Sequence, residues 1–432
     1  MRAYIGLVAA ALLAAGCDLL SLKAENPNNV LEEDLSNPSA AGAIANGAEA
    51  TVTRALGAIL APYSTASDEL KWVGSRDSWR DLDWGKVDDI YNEFTDNAFT
   101  YVAEARWTAD KAIERLEAFR SQGALRDPVA LVRAYMYGAI IYTTIADMFD
   151  DFAFSDRTQP GPNIGRDRIP ELYDKAIEYT TKGIQLAQAI GNTTWETRLL
   201  AMRARARYSK ALRAKLRPNQ VDTANPLVND AGANADAQAA LAKMGTADFV
   251  YRLETSSATP GLIVGDMSMA LQVNFRLEMR IGDEYIVPTA DDKKVASVKL
   301  RDPIDNRVDP KLEKEITEFT RAERYAPMTV VSRREMHLIL AEAALARGDQ
   351  TEFRNQINAI RAMDGLSPYT GQIPARDMLI HARRVNLFLQ GRRLADHYRF
   401  AQYPKEWVSG YYKPGVFFPI TISERRANPL VK

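Results

Sequence analysis

Residues 332–365 admit one local fold, a helix, a tight turn and a second helix. Ser332-Arg333-Arg334-Glu335-Met336 opens a helical run through Ala346, and Glu335 stands three residues after Ser332, the spacing of a capping box. Gly348-Asp349 closes that run. Thr351 begins the next one, whose apolar face is Phe353, Ile357 and Ile360, and Gly365 ends it. A helical hairpin of this kind cannot bury its apolar faces alone, so it calls for further helices stacked against it.

Such helices are present. The unit from Arg333 to Gly365 has the length and turn of a tetratricopeptide repeat. A run from Ala103 to Arg120 stops at Gly123. It is followed by Asp127 as a cap, Pro128 in the first turn, and Leu131, Tyr135, Gly138, Tyr142, Ile145 and Phe149 at steps of four and three. A further pair covers Pro170 to Ala189 and Glu196 to Leu216, hinged at Gly191-Asn192, and a last long helix is expected from Ala375 to Arg399. Helical pairs are thus expected near 98–216 and 331–399. Between them, residues 217–330 read as a loop-rich insert. Residues 217–236 are rich in Asn, Asp, Pro and Gly, and 246–330 carry short pieces such as Tyr285-Ile286-Val287-Pro288 and the turns Asp302-Pro303 and Asp309-Pro310.

The amino terminus carries an address. Arg2 precedes the apolar run Tyr4 to Leu13, and Leu13-Ala14-Ala15-Gly16-Cys17 resembles a bacterial lipobox, which implies a signal peptide over 1–16, acylation of Cys17 and a lipidated tether over 17–40. Cys17 is the only cysteine, so no disulfide is possible within the chain and stability rests on an ordinary core. With 46% hydrophobic and 26% charged residues the composition is that of a globular protein. A net charge of −1 speaks against nucleic acid as a partner. The most apolar stretch, Ala134 to Phe149, is broken by Thr143, Thr144 and Asp147 and reads as a core helix rather than a membrane span.

In its carboxy-terminal third the chain resembles the SusD/RagB family. Arg334-Glu335-Met336-His337-Leu338-Ile339-Leu340-Ala341-Glu342-Ala343 is similar to that family's R-x-E-x-x-L-I-x-A-E-A helix. Gly348-Asp349 with Ile357-Asn358-Ala359-Ile360-Arg361, then Arg383-Arg384 through Gly391-Arg392-Arg393 to Asp396, and finally Phe418-Pro419-Ile420 with Glu424 and Asn428-Pro429, continue the likeness. Asn386, Gln390 and Thr421 depart from it, where Glu, Glu and Pro are usual, and Ala382 stands for a common Glu. The resemblance implies a mainly α fold of about four tetratricopeptide-like pairs with an interleaved ligand-binding part, spanning 41–432. It implies a SusC-like TonB-dependent β-barrel transporter as partner, an oligosaccharide or peptide as ligand, and an outer-membrane position facing the cell exterior. Arg383 and Arg393, though central to the motifs, are expected to pair with a carboxylate or cap a helix end rather than touch ligand.

The ligand surface is sought between Asp68 and Tyr101. Trp72, Trp79 and Trp84, three of the six tryptophans, fall there with Tyr91 and interleaved charges. A flat indole face suits a sugar ring, and neighbouring carboxylates and guanidinium groups can fix its hydroxyls. Asp68, Trp72, Arg76, Trp79, Trp84 and Tyr91 are the candidates, with Phe275, Tyr285 and Tyr325 as a second wall. Tryptophans on helix faces are more often core. Enzyme chemistry is not expected: His337, His381 and His397 lie in predicted helices without a metal-binding spacing, and neither a nucleophile elbow nor a phosphate loop is present. No cofactor or metal is called for. The other class of function considered is a lipid-anchored tetratricopeptide scaffold that binds no small ligand.

Overall fold

A computed structural model describes residues 34–156, 158–256 and 268–431. The signal peptide, Cys17 and the tether up to residue 33 lie outside the described residues. The main helices are α1 (Ala41–Thr65), α2 (Asp77–Asp83), α3 (Glu93–Ser121), α4 (Pro128–Met148), α5 (Pro170–Ala189), α6 (Thr193–Arg213), α7 (Ala231–Met244), α8 (Pro310–Arg321), α9 (Arg333–Ala346), α10 (Gln350–Met363), α11 (Ala375–Asn386), α12 (Arg393–Phe400) and α13 (Ile422–Ala427). They start where side chains can take up the free amides of the first turn. Asn92 accepts from Phe94 and Thr95, Asp127 from Val129 with Pro128 behind it, and Asp349 from Glu352.

The helices form a stack. Pairs α1/α3, α4/α5, α6/α7 and α9/α10 pack in turn, with α3 against α4, α5 against α6 and α7 against α9 as the joints between pairs. Helix α4 is long and apolar enough to cross a bilayer, but it is mostly buried among its neighbours and serves as the core of the stack.

Two stretches differ from expectation. Residues 217–236 are not one surface loop. A short hairpin, β2 (Leu216–Arg217) with β3 (Gln220–Val221), precedes α7, which supplies half of a helical pair. Its buried face is Ala233, Ala237, Ala240 and Met244, small side chains that allow close approach but carry little hydrophobic signal in a sequence. Asp236 on α7 binds Arg203 (2.7 and 2.8 Å) and Arg207 (2.8 Å) of α6. The long helix expected over 375–399 is broken into α11 and α12. Leu389 (φ 57°) and Gly391 (φ 71°) turn the chain between them, and the Leu389 amide donates to Glu69 Oε1 at 2.7 Å. A Cβ on Gly391 would lie 2.5 Å from Met148 Cε, so packing against α4 requires the glycine there.

Buried ion pairs lock the stack. Arg399 and Glu342 are both fully buried and paired, Arg383 Nε donates to Asp396 at 2.9 Å, and Tyr208 donates to Glu342 at 2.7 Å. Arg361 grips Asp302 at 2.6 and 3.0 Å. Arg334 is held by Asp364 and Asp248, so Asn386 need only offer its amide oxygen (2.9 Å), which explains why a neutral residue suffices at that position. The capping box is half formed. Ser332 Oγ accepts from the Glu335 amide at 3.1 Å, while the Glu335 carboxylate turns away to Arg392, also at 3.1 Å.

The remaining strands among the described residues make three two-stranded antiparallel sheets: β1 (Leu70–Trp72) with β5 (Met279–Ile281), β4 (Val250–Leu253) with β8 (Met328–Ser332), and β6 (Ile286–Pro288) with β7 (Val295–Val298). The first ties the segment after α1 to the insert, with Trp72 opposite Met279.

Candidate ligand-binding surface

The segment from Asp68 to Tyr91 turns inward at its start and outward along its middle. Asp68 faces in. Its carboxylate accepts from Arg393 Nε (2.7 Å) and Nη2 (2.8 Å) and from the Tyr285 hydroxyl (3.1 Å), with His397 Nε2 at 3.2 Å. Burial pushes its pKa up, but Arg393 and His397 outweigh burial and hold the carboxyl well below the usual range. Every side of this carboxylate is occupied within the fold, so Asp68 leaves the candidate set. Trp79 leaves it too. It is wholly buried and stacks on Phe94 with ring centroids 3.7 Å apart. Tyr285 is likewise buried, against Phe388, and forms no outer wall.

Trp72, Arg76, Trp84 and Tyr91 remain accessible. Arg80, on α2, lies over Trp84 (4.8 Å) and toward Trp72 (5.9 Å), so one guanidinium bridges two indoles. Asp77 (2.8 Å) and Asp81 (3.2 Å) fix its orientation. Trp84 meets Tyr411 at 6.2 Å with ring planes 34° apart. Tyr411 belongs to a loop after α12 that also carries Tyr403, Trp407 and Tyr412, whose rings lie 5.1 to 5.7 Å from one another. The loop is docked by the Val408 amide, which donates to the Trp84 carbonyl at 3.0 Å. Gly85 (φ 87°) allows this approach, since a Cβ there would sit 2.8 Å from Tyr412 and 3.0 Å from Trp407. The result is an aromatic platform of Trp72, Trp84 and Tyr411 with Arg80 set into it, flanked through Gly85 by the Tyr403–Trp407–Tyr412 cluster.

Tyr91 is 65% exposed, and its amide donates to Asp89. Arg76 is exposed near Glu93 (3.9 Å), and its amide donates to Glu278 at 3.2 Å. On the insert side Phe275 is 57% exposed beneath Arg324, whose guanidinium carbon lies 3.7 Å from the ring centre, and Tyr325 is half-buried. Under the platform Asp83 is buried. Burial, reinforced by the Glu406 charge and opposed by Lys71, lifts its pKa to about 8.

Tyr403, Trp407, Tyr411 and Tyr412 escaped the reading of the sequence, yet a signal exists. Tyr403-Pro404, Gly410 and Pro414-Gly415 place four aromatics in a turn-rich stretch, where a helix core cannot claim them. Among the described residues, Asp302, Asp309 and His381 lie close enough together to suggest a metal. Asp302, however, is spent on Arg361 and Asp309 caps α8 through the Lys311 and Leu312 amides, so the group is structural.

A stack of helical pairs with small sheets, and a surface platform between the segment after the first helix and a late loop, define a helical-repeat protein. Residues 323–428 match the family model described as the SusD family. The whole chain is similar to a SusD superfamily protein from Bacteroides thetaiotaomicron, at 12% identity and TM-score 0.63, covering 92% of this chain and 99% of that one. A SusD superfamily protein from Bacteroides fragilis is similar at 12% identity and TM-score 0.61, over 92% and 99% of the two chains. So is a SusD-like carbohydrate binding protein from Bacteroides vulgatus, at 12% identity and TM-score 0.58, over 91% and 97%. At these identities the structures speak for the fold. No curated protein matches the chain in sequence. Residues 323–428 thus match the SusD family, and the chain as a whole shares the helical fold of these solved structures.

Proposed function

We propose that this chain is a cell-surface binding lipoprotein that holds a glycan on the Trp72–Trp84–Tyr411 platform and hands it to a SusC-like TonB-dependent outer-membrane transporter. The observation that carries the glycan reading is the platform itself. Flat ring faces lie beside oriented polar groups, Arg80 with Asp77 and Asp81, which suits the C–H faces and hydroxyls of sugar rings. The fold shared with a SusD-like carbohydrate binding protein from Bacteroides vulgatus supports it. A pure scaffold has no need of exposed aromatics on a loop docked so closely. Lipid on Cys17 would tether the protein at the outer membrane, facing the exterior.

Glycans and peptides screened against the purified protein test the ligand, with Trp84→Ala and Tyr411→Ala as controls. Glycan binding that both substitutions abolish is expected. Binding indifferent to both would remove the platform from the reading, and a peptide-only response would replace the ligand. Co-purification of a β-barrel transporter tests the partner, and protease shaving of intact cells tests the exposure.

A further inference from the structure

A cleft lies where the beginning of α6 meets β4 and α8. Arg198 sits in a corner between two rings. Its guanidinium carbon is 4.5 Å from the Trp195 ring centre and 4.6 Å from that of Tyr251, and the two rings stand 72° apart. Stacking on two nearly perpendicular faces fixes the group in place, as a cation–π contact on one ring alone would not. What it lacks is an acceptor. Its Nε is buried without a hydrogen-bond partner, and among the described residues no carboxylate or carbonyl takes either terminal nitrogen. Elsewhere in this protein buried arginines are gripped by carboxylates, as Arg334, Arg361, Arg393 and Arg399 are.

Arg198 lines a cleft of about 540 Å³ with Arg252, Lys311, Lys314, Asp248, Glu254, Val250 and Tyr251. Four cations thus face two carboxylates. Asp248 is drawn off to Arg334 (2.9 Å), Glu315 holds Arg252 (3.3 Å) and Lys311 (2.5 Å), and Lys314 has only a distant contact with Glu318 (3.9 Å). Arg198 has no carboxylate partner and Lys314 only this distant one, while Glu254, the other acid of the lining, forms no ion pair among the described residues.

We propose that this cleft binds an oxyanion, a carboxylate or sulfate group on a sugar-sized ligand, with Arg198 as the fork that receives it and Lys314 as a second charge. A planar guanidinium presents paired N–H groups that match two oxygens of such an anion, and a group already held by its ring contacts loses little freedom on binding. Val250 and Tyr251 line the cleft beside Arg198. The site shares no residue with the platform.

Calorimetric titration of the purified protein with inorganic sulfate, D-galacturonate and neutral D-galactose tests this. Saturable binding of an anion is expected, with galactose silent. Tighter binding of galacturonate points to a sugar acid, and tighter binding of sulfate to a sulfate ester. Arg198→Met weakens the anion at least about tenfold, Arg198→Lys, which keeps the charge without the fork, weakens it less, and Trp84→Ala leaves it unchanged. An anion bound equally by the wild type and Arg198→Met, or saturation by neither anion, overturns the proposal. Because Trp84→Ala reports on the platform alone, failure here is separable from failure of the glycan reading.

Discussion

Arg393 and Asp68 form a two-pronged ion pair, Nε to Oδ1 at 2.7 Å and Nη2 to Oδ2 at 2.8 Å, between residues 325 positions apart. The pair pins the start of the segment that carries the platform to the first turn of α12. The aromatic loop leaves from the far end of that eight-residue helix. One contact therefore sets the register of both sides of the candidate surface. His397, on the same helix, adds its imidazole to Asp68.

Removing one partner of this pair strands the other in the interior. Asp68→Leu should cost about 3–5 kcal/mol, chiefly from the uncompensated Arg393 charge. The double variant Asp68→Leu/Arg393→Met, which removes both charges, should cost less than the single one. Urea unfolding of the two proteins checks the order.

Glu69, the next residue, makes stability fall as pH rises. Burial, helped by the charge of Asp68 and opposed by the hydrogen bond from Leu389, lifts its pKa to about 8 from an ordinary 4.5. Between those values the folded state holds a proton that the unfolded state has released, so unfolding becomes easier by up to about 1.4 kcal/mol per pH unit. Glu69→Gln keeps a neutral acceptor for the Leu389 amide, and its NH2 can donate to the Ser64 hydroxyl, without titrating. It should match the wild type near pH 5 and exceed it at pH 8. Unfolding midpoints at the two pH values check this, and equal slopes in both proteins would contradict it.

The same contacts explain what could be read from sequence. The helix pairs follow from periodicity and caps, and the expectation that Arg383 and Arg393 bind carboxylates holds because a helix-borne guanidinium in a well-packed stack needs one. Their partners were out of reach: nothing near position 393 names Asp68. The break in the last helix was hidden for the same reason, since residues 387–391 look helical until Glu69 and Met148 press on them. Helix α7 was missed because alanines among Asn, Asp and Gly carry a faint apolar signal. Of the six candidates, two proved interior, and spacing alone could not divide Trp79 from Trp84. The short helix decides it, with Trp79 on it turned toward Phe94 and Trp84 just past its end.

Those two tryptophans should separate cleanly on substitution. Trp79→Ala empties a core site and should cost about 3–5 kcal/mol. Trp84→Ala removes a half-buried ring and should cost less, while lowering glycan affinity about tenfold or more. Thermal unfolding with parallel binding titrations checks both. Equal loss of stability in the two variants would mean that Trp84 serves the core.

Gly85 tests whether the docked loop belongs to the platform. Its φ of 87° is strained for any residue with a Cβ, and the added carbon would meet Tyr412 Cβ at 2.8 Å and Trp407 at 3.0 Å. Tyr412 is the easier of the two to displace, because it is half-buried while Trp407 packs against Tyr398 and His397. Gly85→Ala should therefore push the Tyr411–Tyr412 end outward, widening the gap to Trp84 and leaving α12 in place. The expected cost in stability is about 1–3 kcal/mol, with a loss of glycan affinity similar to that of Tyr411→Ala. Combining Gly85→Ala with Tyr411→Ala should weaken binding little further, because both act through the same contact. A fully additive double variant would place Tyr411 outside the site that Gly85 shapes.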